Sequence, residues 1–286
     1  MNASFLLNSG SAGKPLFQKF NKNADVFLRY AGYSNNYNSL QMKVDRRFSG
    51  GFLMTTSYTY GKALGYGSET GGLWNYVQPR RSYSRLDFDR SHTFVQSYVY
   101  ELPFGKGKKW LTSGAGRWIA GDWQVNGVLN LMTGRPMTFG TTVSVNTPGS
   151  AATPDQVGPI QILHGIAGPS GSTLWFDTAS AFKQPYDADG KTPHFGNMGH
   201  NNFDGPGLGD LDFSLARNFR ISERIKCEFR AETLNFTNSP AFANPNTTVG
   251  SADFGKVTGT LAGLIANQGT GGTGPRTVQF TIKLGF

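Results

Sequence analysis

Histidines and carboxylates are the residue types best suited to metal binding or acid–base chemistry, and four of them lie in one Gly-rich stretch. These are His194, His200, Asp204 and Asp210. Their spacing matches no metal signature that we recognise, so we interpret them as solvated loop residues and predict no metal or other cofactor. The single cysteine, Cys227, excludes an internal disulfide and a cysteine-based zinc site.

A second group of residues could suggest a surface protease of the kind that some membrane barrels carry. It consists of Asp87, Asp89, Arg90 and His92. No serine or cysteine nucleophile with a placed base can be assigned beside it, so we predict that the protein is not an enzyme. The GPGLG at residues 205–209 resembles a phosphate loop, but no helical pattern follows it, and a turn into a strand explains it better.

The most informative charges alternate along a predicted strand at residues 225–236. Because side chains two apart in a strand share a face, these four charges lie on one face: Lys226, Glu228, Arg230 and Glu232. A cation in mid-strand on a lipid-facing surface would cost about 2 to 4 kcal/mol. We therefore expect this face to line an aqueous lumen, where the charges pair with one another, with neighbouring strands or with a plug.

Residues 276–286 show the same period of two with one fully apolar face. That face consists of Val278, Phe280, Ile282, Leu284 and Phe286, and threonine, glutamine, lysine and glycine occupy the other face. A transmembrane β-strand needs about ten alternating residues and an aromatic residue at the interface. The segment is therefore predicted to be the closing strand of a transmembrane β-barrel.

Seven further segments alternate in a similar way and bring the count to about eight strands. They are residues 25–30, 37–48, 52–60, 91–104, 122–133, 211–221 and 225–236. The connections between them alternate between long and short, as extracellular loops and periplasmic turns do in outer-membrane barrels. The sequence thus predicts an all-β, antiparallel transmembrane barrel, or part of one, with short periplasmic turns and long extracellular loops.

Composition agrees with this fold class. No run of about 18 apolar residues is present, which excludes membrane-spanning helices but not barrel strands. The net charge of +9 is spread over alternating segments rather than one patch, so we predict no nucleic-acid partner. A soluble β-sandwich would also alternate, but it favours short turns at both ends of its strands.

Five segments, in order along the chain, resemble the C-terminal barrel of TonB-dependent receptors. They are YNSLQMKVDRRFSGGFLMTTSYTYGKAL, DFDRSHTFVQSYVYELPFGKGKKW, GDWQVNGVLNLMTGRPMTF, GNMGHNNFDGPGLGDLDFSLARNFRISERIKCEFRAETLNFTN and PRTVQFTIKLGF. The chain is most similar to the Oar-like subgroup, whose members begin with a carboxypeptidase-regulatory-like domain. The resemblance implies a barrel in the Gram-negative outer membrane with many more strands, closed around an N-terminal plug.

The first residues lack the pattern of a secretory signal peptide, and no plug is recognised within residues 1–286. We therefore expect these residues to be the C-terminal portion of a receptor barrel, although a misplaced start would also explain the pattern. The expected partners are outer-membrane lipid, the barrel-assembly machinery, the plug and, through it, TonB.

Three functions agree with these observations. The first is part of a TonB-dependent importer of an unidentified substrate, the second is a complete small barrel acting as a passive pore, adhesin or structural protein, and the third is a soluble β-rich binding protein. Loop aromatics could stack on sugars or on other planar or apolar groups. These weak substrate-binding candidates are Trp74, Tyr76, Tyr83 and Trp175.

Overall fold

A computed structural model describes residues 10–24, 32–67, 73–75, 77–145, 152–165, 174–220, 225–261 and 274–285. Seven long strands dominate it: β1 (Asn35–Ser49), β2 (Phe52–Gly65), β3 (His92–Glu101), β4 (Trp123–Met132), β5 (Leu208–Arg220), β6 (Lys226–Leu234) and β7 (Thr277–Gly285). They confirm seven of the eight predicted segments. The predicted strand at residues 25–30 lies outside the described residues, and Phe286 lies outside them as well.

The seven strands form one antiparallel sheet in chain order from β1 to β7, which we call the wall. Gly50 and Gly51 join β1 to β2, with φ angles of +61° and +83° that favour glycine in so tight a turn. The short strand Ser84–Arg85 pairs with the end of β2. Within the described residues β1 and β7 each pair on one side only, so the wall is open.

Strand register separates an apolar outer face from a polar inner face. Leu40 lies opposite Tyr60, and Met42 lies opposite Tyr58. At the other edge Phe280 lies opposite Ala231. The sequence pattern of β3 is ambiguous because Val95 and Val99 place apolar side chains on the face opposite its aromatic residues, and the register resolves it. Phe94, Tyr98 and Tyr100 lie opposite outer-face residues of β2.

The short turns and the long loops lie at opposite ends of the wall. One end, which we call periplasmic after the prediction from loop lengths, carries the turn at 50–51, the short connection between β5 and β6 and an intermediate connection at 102–122; the other end, which we call external, carries the described parts of the loops 66–91, 133–207 and 235–276. Helix α1 (Pro15–Phe20) precedes the wall, and helix α2 (Gly114–Ala120) lies in the intermediate connection. None of the described helices is long and apolar enough to cross a membrane.

The described residues of the three long loops form a second unit, which we call the cap. Its described backbone contains one 3-10 turn, Pro79–Ser82, and, besides Ser84–Arg85, six two-residue strands: Pro136–Met137, Gly140–Thr141, Asp155–Gln156, Phe182–Lys183, Phe203–Asp204 and Thr248–Val249. An additional 3-10 turn, Gly10–Gly13, precedes α1. The sequence pattern shows only polar, Gly/Pro-rich connections here, yet the structure places a hydrophobic core in them.

Aromatic side chains from distant parts of the loops build this core. Phe139 is 1% exposed and Phe176 is completely buried, and their rings meet edge to face with centroids 5.0 Å apart. Phe182 and Phe254 pack against the same pair, and Trp175, Ala181, two methionines and two valines complete the cluster. The cap therefore folds by burying apolar surface from water, as a small soluble domain does.

Candidate functional site

The inner face of β6 carries the charged residues that the sequence singled out. The Arg230 guanidinium donates to Glu228 Oε1 at 2.6 Å and to Glu232 Oε1 at 3.3 Å, so one arginine bridges two carboxylates along the same strand. Lys226 lies at the periplasmic end of the row, opposite Gly285. Ion pairs as exposed as these contribute at most about 1 kcal/mol. Their main effect is to keep this face hydrophilic.

Neighbouring strands extend this polar surface across the inner face. Glu228 lies opposite Lys283, and Glu232 lies opposite Gln279 on β7. On the other side of β6, Asn126 of β4 donates to Ser214 Oγ of β5 at 3.0 Å. The surface thus offers charges, amides and hydroxyls side by side, a combination suited to hydrogen bonding with a polar solute or with a protein segment in the lumen.

The first long loop is held against the second loop, and against the end of β2, by a set of contacts that we call the junction. Its first member is Arg81, which donates to the backbone oxygens of Gly196 at 2.5 Å and Met198 at 2.8 Å. The same guanidinium donates to Thr153 Oγ1 at 3.2 Å and lies 5.9 Å from the centre of the Trp74 ring. Arg81 therefore holds the first loop against the second.

Arg85 makes a parallel set of contacts beside it. Its guanidinium donates to Asp89 Oδ2 at 2.8 Å and to Asp204 Oδ1 at 2.6 Å. The other oxygen of Asp89 accepts the backbone N–H of Ala63, near the end of β2. Because Arg85 and Asp89 are both largely buried, the two carboxylates offset the cost of removing the guanidinium from water.

A serine–histidine pair completes the junction, and the sequence analysis does not predict it. His200 Nδ1 lies 2.7 Å from Ser84 Oγ, and the imidazole stacks on Trp74 with centroids 5.0 Å apart. Asp87 is 4.0 Å from His200 Nε2, beyond hydrogen-bond range, so the three residues do not form a Ser–His–Asp triad in this arrangement. Burial lowers the pKa of His200, and the nearby Asp87 carboxylate opposes that shift.

The four residues considered as metal ligands lie at three different places, and only His200 and Asp204 share one of them. His194 is held between Asp155 at 2.9 Å and Asp187 at 3.0 Å. His200 and Asp204 belong to the junction, and Asp210 is buried in β5. In the part of the chain that the structure describes, no three histidine, cysteine or acidic side chains are grouped in a way that could hold a metal ion.

The predicted substrate-stacking aromatics have different surroundings. Trp74 lies between His200 and Arg81, whereas Trp175 is 8% exposed, packed in the core of the cap, and offers little ring surface to a ligand. Tyr76 lies outside the described residues. Only Tyr83 is well exposed.

Tyr83 is part of an aromatic row that the sequence analysis missed. Its ring centroid lies 5.1 Å from that of Tyr66, which lies 4.8 Å from that of Tyr33. The Tyr83 hydroxyl accepts a hydrogen bond from the side chain of Asn36, just inside the start of β1. The row therefore lies at the end of the wall that carries the long loops.

A family model described as an outer membrane beta barrel domain matches residues 7–279. The chain belongs to this outer-membrane β-barrel family. The match agrees with the antiparallel wall, its apolar outer face and its alternating loops, and it confirms the predicted fold class and the outer-membrane location. Membership of an outer-membrane barrel family argues against the alternative fold considered above, a soluble β-sandwich. Neither the curated proteins nor the solved structures gave a match.

Proposed function

We propose that the chain forms part of the wall and the external cap of a TonB-dependent receptor that imports a polar substrate. The observation that carries this proposal is the open wall with a charged inner face. Every residue of β1 and of β7 is exposed, and the inner row on β6 contains the pairs of Arg230 with Glu228 and Glu232. In this role the protein binds and passes a substrate without chemical change.

The exposed edges favour a large barrel over a small one. Unpaired backbone N–H and C=O groups are not tolerated in the hydrocarbon region, so β1 and β7 need further partners. Seven strands at about 4.8 Å spacing span about 29 Å of wall. We propose that additional strands complete the circumference, which gives a lumen wide enough for a plug, whereas the interior of an eight-stranded barrel is filled by side chains.

The polar inner face supports the presence of a plug. Arg230, Glu228 and Glu232 remain partly exposed after pairing with one another, so they keep the capacity to bind further groups. A plug segment carrying amides and charges would contact this row. The resemblance of the five sequence segments to TonB-dependent receptors supports the same arrangement. It also implies that TonB is the periplasmic partner, reached through the plug.

One observation favours a second candidate, in which the cap itself is the functional unit. The core around Phe139 and Phe176 gives the external loops a fixed shape independent of strand pairing. A rigid external surface of this kind could bind a large ligand or another cell, as an adhesin does. In that case the wall serves as a membrane anchor.

Retention by TonB separates these two functions. Outer membranes that hold the full-length protein are solubilised and passed over the immobilised periplasmic domain of TonB, with an unrelated outer-membrane porin as the control. We expect the protein to be retained and the porin to flow through. Flow-through of both proteins, together with cell or matrix binding that survives loss of TonB, would contradict the import proposal and support the adhesin.

A further inference from the structure

The connection between β3 and β4 at the periplasmic end, residues 102–122, is unusual for a turn; we call it the rim segment. It contains helix α2 and four large apolar side chains that remain mostly in contact with solvent. Trp118 and Ile119 are 77% and 72% exposed, and Trp110 and Leu111 are about half exposed, at 51% and 45%. In a turn surrounded by water, exposed apolar side chains such as these would not stabilise the protein.

Contacts with the wall show where the rim segment lies. Arg217 of β5 donates to the backbone oxygens of Trp118 and Ile119 at the end of α2. The indole N–H of Trp123 donates to the same Ile119 oxygen at 2.9 Å. Arg217 and Trp123 are directly opposite each other in the register of β5 and β4.

Both of these side chains belong to the outer face. Trp123 shares its parity with Val125 and Leu129, and Arg217 lies opposite Phe229 of β6, another outer-face residue. The Arg217 guanidinium lies 4.4 Å from the centre of the Phe219 ring and 5.4 Å from that of Trp123. The end of α2 is therefore held against the lipid-facing side of the wall rather than over the lumen.

The charges of the rim segment are all of one sign up to residue 121. Lys106, Lys108, Lys109 and Arg117 are its basic residues, and no acidic residue occurs before Asp122. Lys108 pairs with Glu101 of β3, while Lys106 and Lys109 are exposed and Lys109 Nζ lies 5.0 Å from the centre of the Trp110 ring. Tryptophan beside lysine and arginine is the composition typical of a membrane-interface anchor.

We propose that the rim segment is an interfacial anchor that binds the headgroups of anionic phospholipids in the periplasmic leaflet of the outer membrane. The exposed apolar side chains continue the lipid-facing surface of the wall, and the adjacent lysines complement phosphate groups at the boundary. This inference rests on membership of the outer-membrane family and on the contacts of Arg217. It does not depend on TonB or on import.

A fluorescent probe at position 119 tests the location of the anchor. The full-length protein with Cys227→Ser and Ile119→Cys is labelled and placed in vesicles of phosphatidylethanolamine and phosphatidylglycerol. A matched variant carries the cysteine at Asp189, in the exposed part of the cap. We expect brominated lipid chains to quench the probe at 119 but not at 189. Equal, weak quenching at both positions would overturn the proposal.

A comparison of brominated lipids that differ in headgroup then tests whether the rim segment prefers anionic headgroups. Brominated phosphatidylglycerol should quench the probe at 119 more strongly than brominated phosphatidylcholine at equal content. Lys106→Gln and Lys109→Gln should each reduce this preference by about fivefold. Lys191→Gln, which removes an exposed lysine from the cap, should leave the preference unchanged.

Two results would contradict headgroup binding. Quenching at 119 without any preference for phosphatidylglycerol would mean that apolar insertion alone holds the segment. A preference that survives both lysine substitutions would assign it to another part of the protein. Resistance of the folded wall to trypsin verifies that each variant is assembled. Retention by TonB is measured separately. Failure of the anchor proposal and failure of the import proposal are therefore distinguishable.

Discussion

In the edge strands β1 and β7 of the wall, the large apolar side chains of the outer face are exposed; in the core of the cap, large apolar side chains are buried. Phe280 of β7 is 69% exposed, whereas Phe176 of the cap is fully buried, although both are phenylalanines in one chain. The wall relies on backbone pairing and on lipid contact, and the cap relies on exclusion of water. The protein therefore folds in contact with two solvents, lipid and water. Phenylalanine faces lipid in the wall and is buried away from water in the cap.

The largest expected effect comes from removing a ring from the core of the cap. Phe176→Ala deletes a side chain that contacts Phe139, Phe182 and Phe254, and a buried cavity of this kind costs about 3 to 5 kcal/mol. We expect the cap to become sensitive to protease while the wall remains protected, as measured by limited proteolysis of intact membranes.

Phe88→Ala is the matched control for that substitution, because Phe88 lies in the cap but is about half exposed. It should change protease resistance little. If Phe176→Ala made the wall as well as the cap sensitive to protease, the cap and the wall would not fold as separate units.

The next effect tests the lipid-facing side of the wall. Phe280→Arg places a cation near the middle of β7 on the outer face, which should cost about 2 to 4 kcal/mol and block assembly. Gln279→Arg introduces the same group one residue earlier, on the inner face opposite Glu232, and should be tolerated. Lys283→Gln should be nearly silent. Heat-modifiability on gels measures assembly in each case.

Cysteine labelling of β7 in membranes checks the same alternation directly. Positions 278, 280, 282 and 284 should react with a lipid-soluble reagent, and the positions between them should react with a water-soluble one. Water-soluble labelling along the whole strand would show that the outer face does not meet lipid.

A smaller effect is expected at the junction, where the two units meet. Arg81→Met keeps much of the stem but removes the donor to Gly196, Met198 and Thr153. Gly196 still accepts from Thr153, but the buried oxygen of Met198 loses its donor, and an unpaired buried acceptor costs about 1 to 3 kcal/mol. Hydrogen exchange should increase around residues 196–198. The adjacent and exposed Arg80 provides the control, since Arg80→Met should not change exchange there.

The smallest effect concerns acid sensitivity. The pKa of His200 is lowered by burial from an ordinary value of 6.5, so the unfolded junction binds more protons than the folded one as pH falls below about 6.5. Stability of the junction should therefore decrease through that range as His200 becomes protonated. His200→Gln should flatten the pH dependence of hydrogen exchange at Ser84, and an unchanged profile would exclude His200 as its source.

The sequence predicts the wall well because a strand with two different surroundings needs an alternating pattern. The apolar set from Val278 to Leu284 and the charged set around Arg230 both follow from a period of two, and pairing in the structure places them on opposite faces. The ambiguous strand was β3, where Val95 and Val99 lie on the inner face and make the alternation less distinct.

The cap could not be predicted in the same way because its core comes from isolated residues in Gly/Pro-rich loops. Phe139 and Phe254 are far apart in sequence, and no period links them. Trp175 therefore looked like a loop aromatic available to a substrate, although it is buried. Arg217 was missed for a related reason: it lies on the apolar side of β5, and its partners come from a helix about a hundred residues earlier.

The contacts of Arg81 also bear on the order in which the protein is built. Neighbouring strands of the wall are consecutive in the chain, but Arg81 reaches Gly196, 115 residues away. Contacts between distant residues require larger loops to close and form later. A chain halted before residue 196 could therefore complete its first hairpin while the loop after β2 still had no anchor. Biogenesis should proceed from the membrane outward, and the external surface should be the last part to mature.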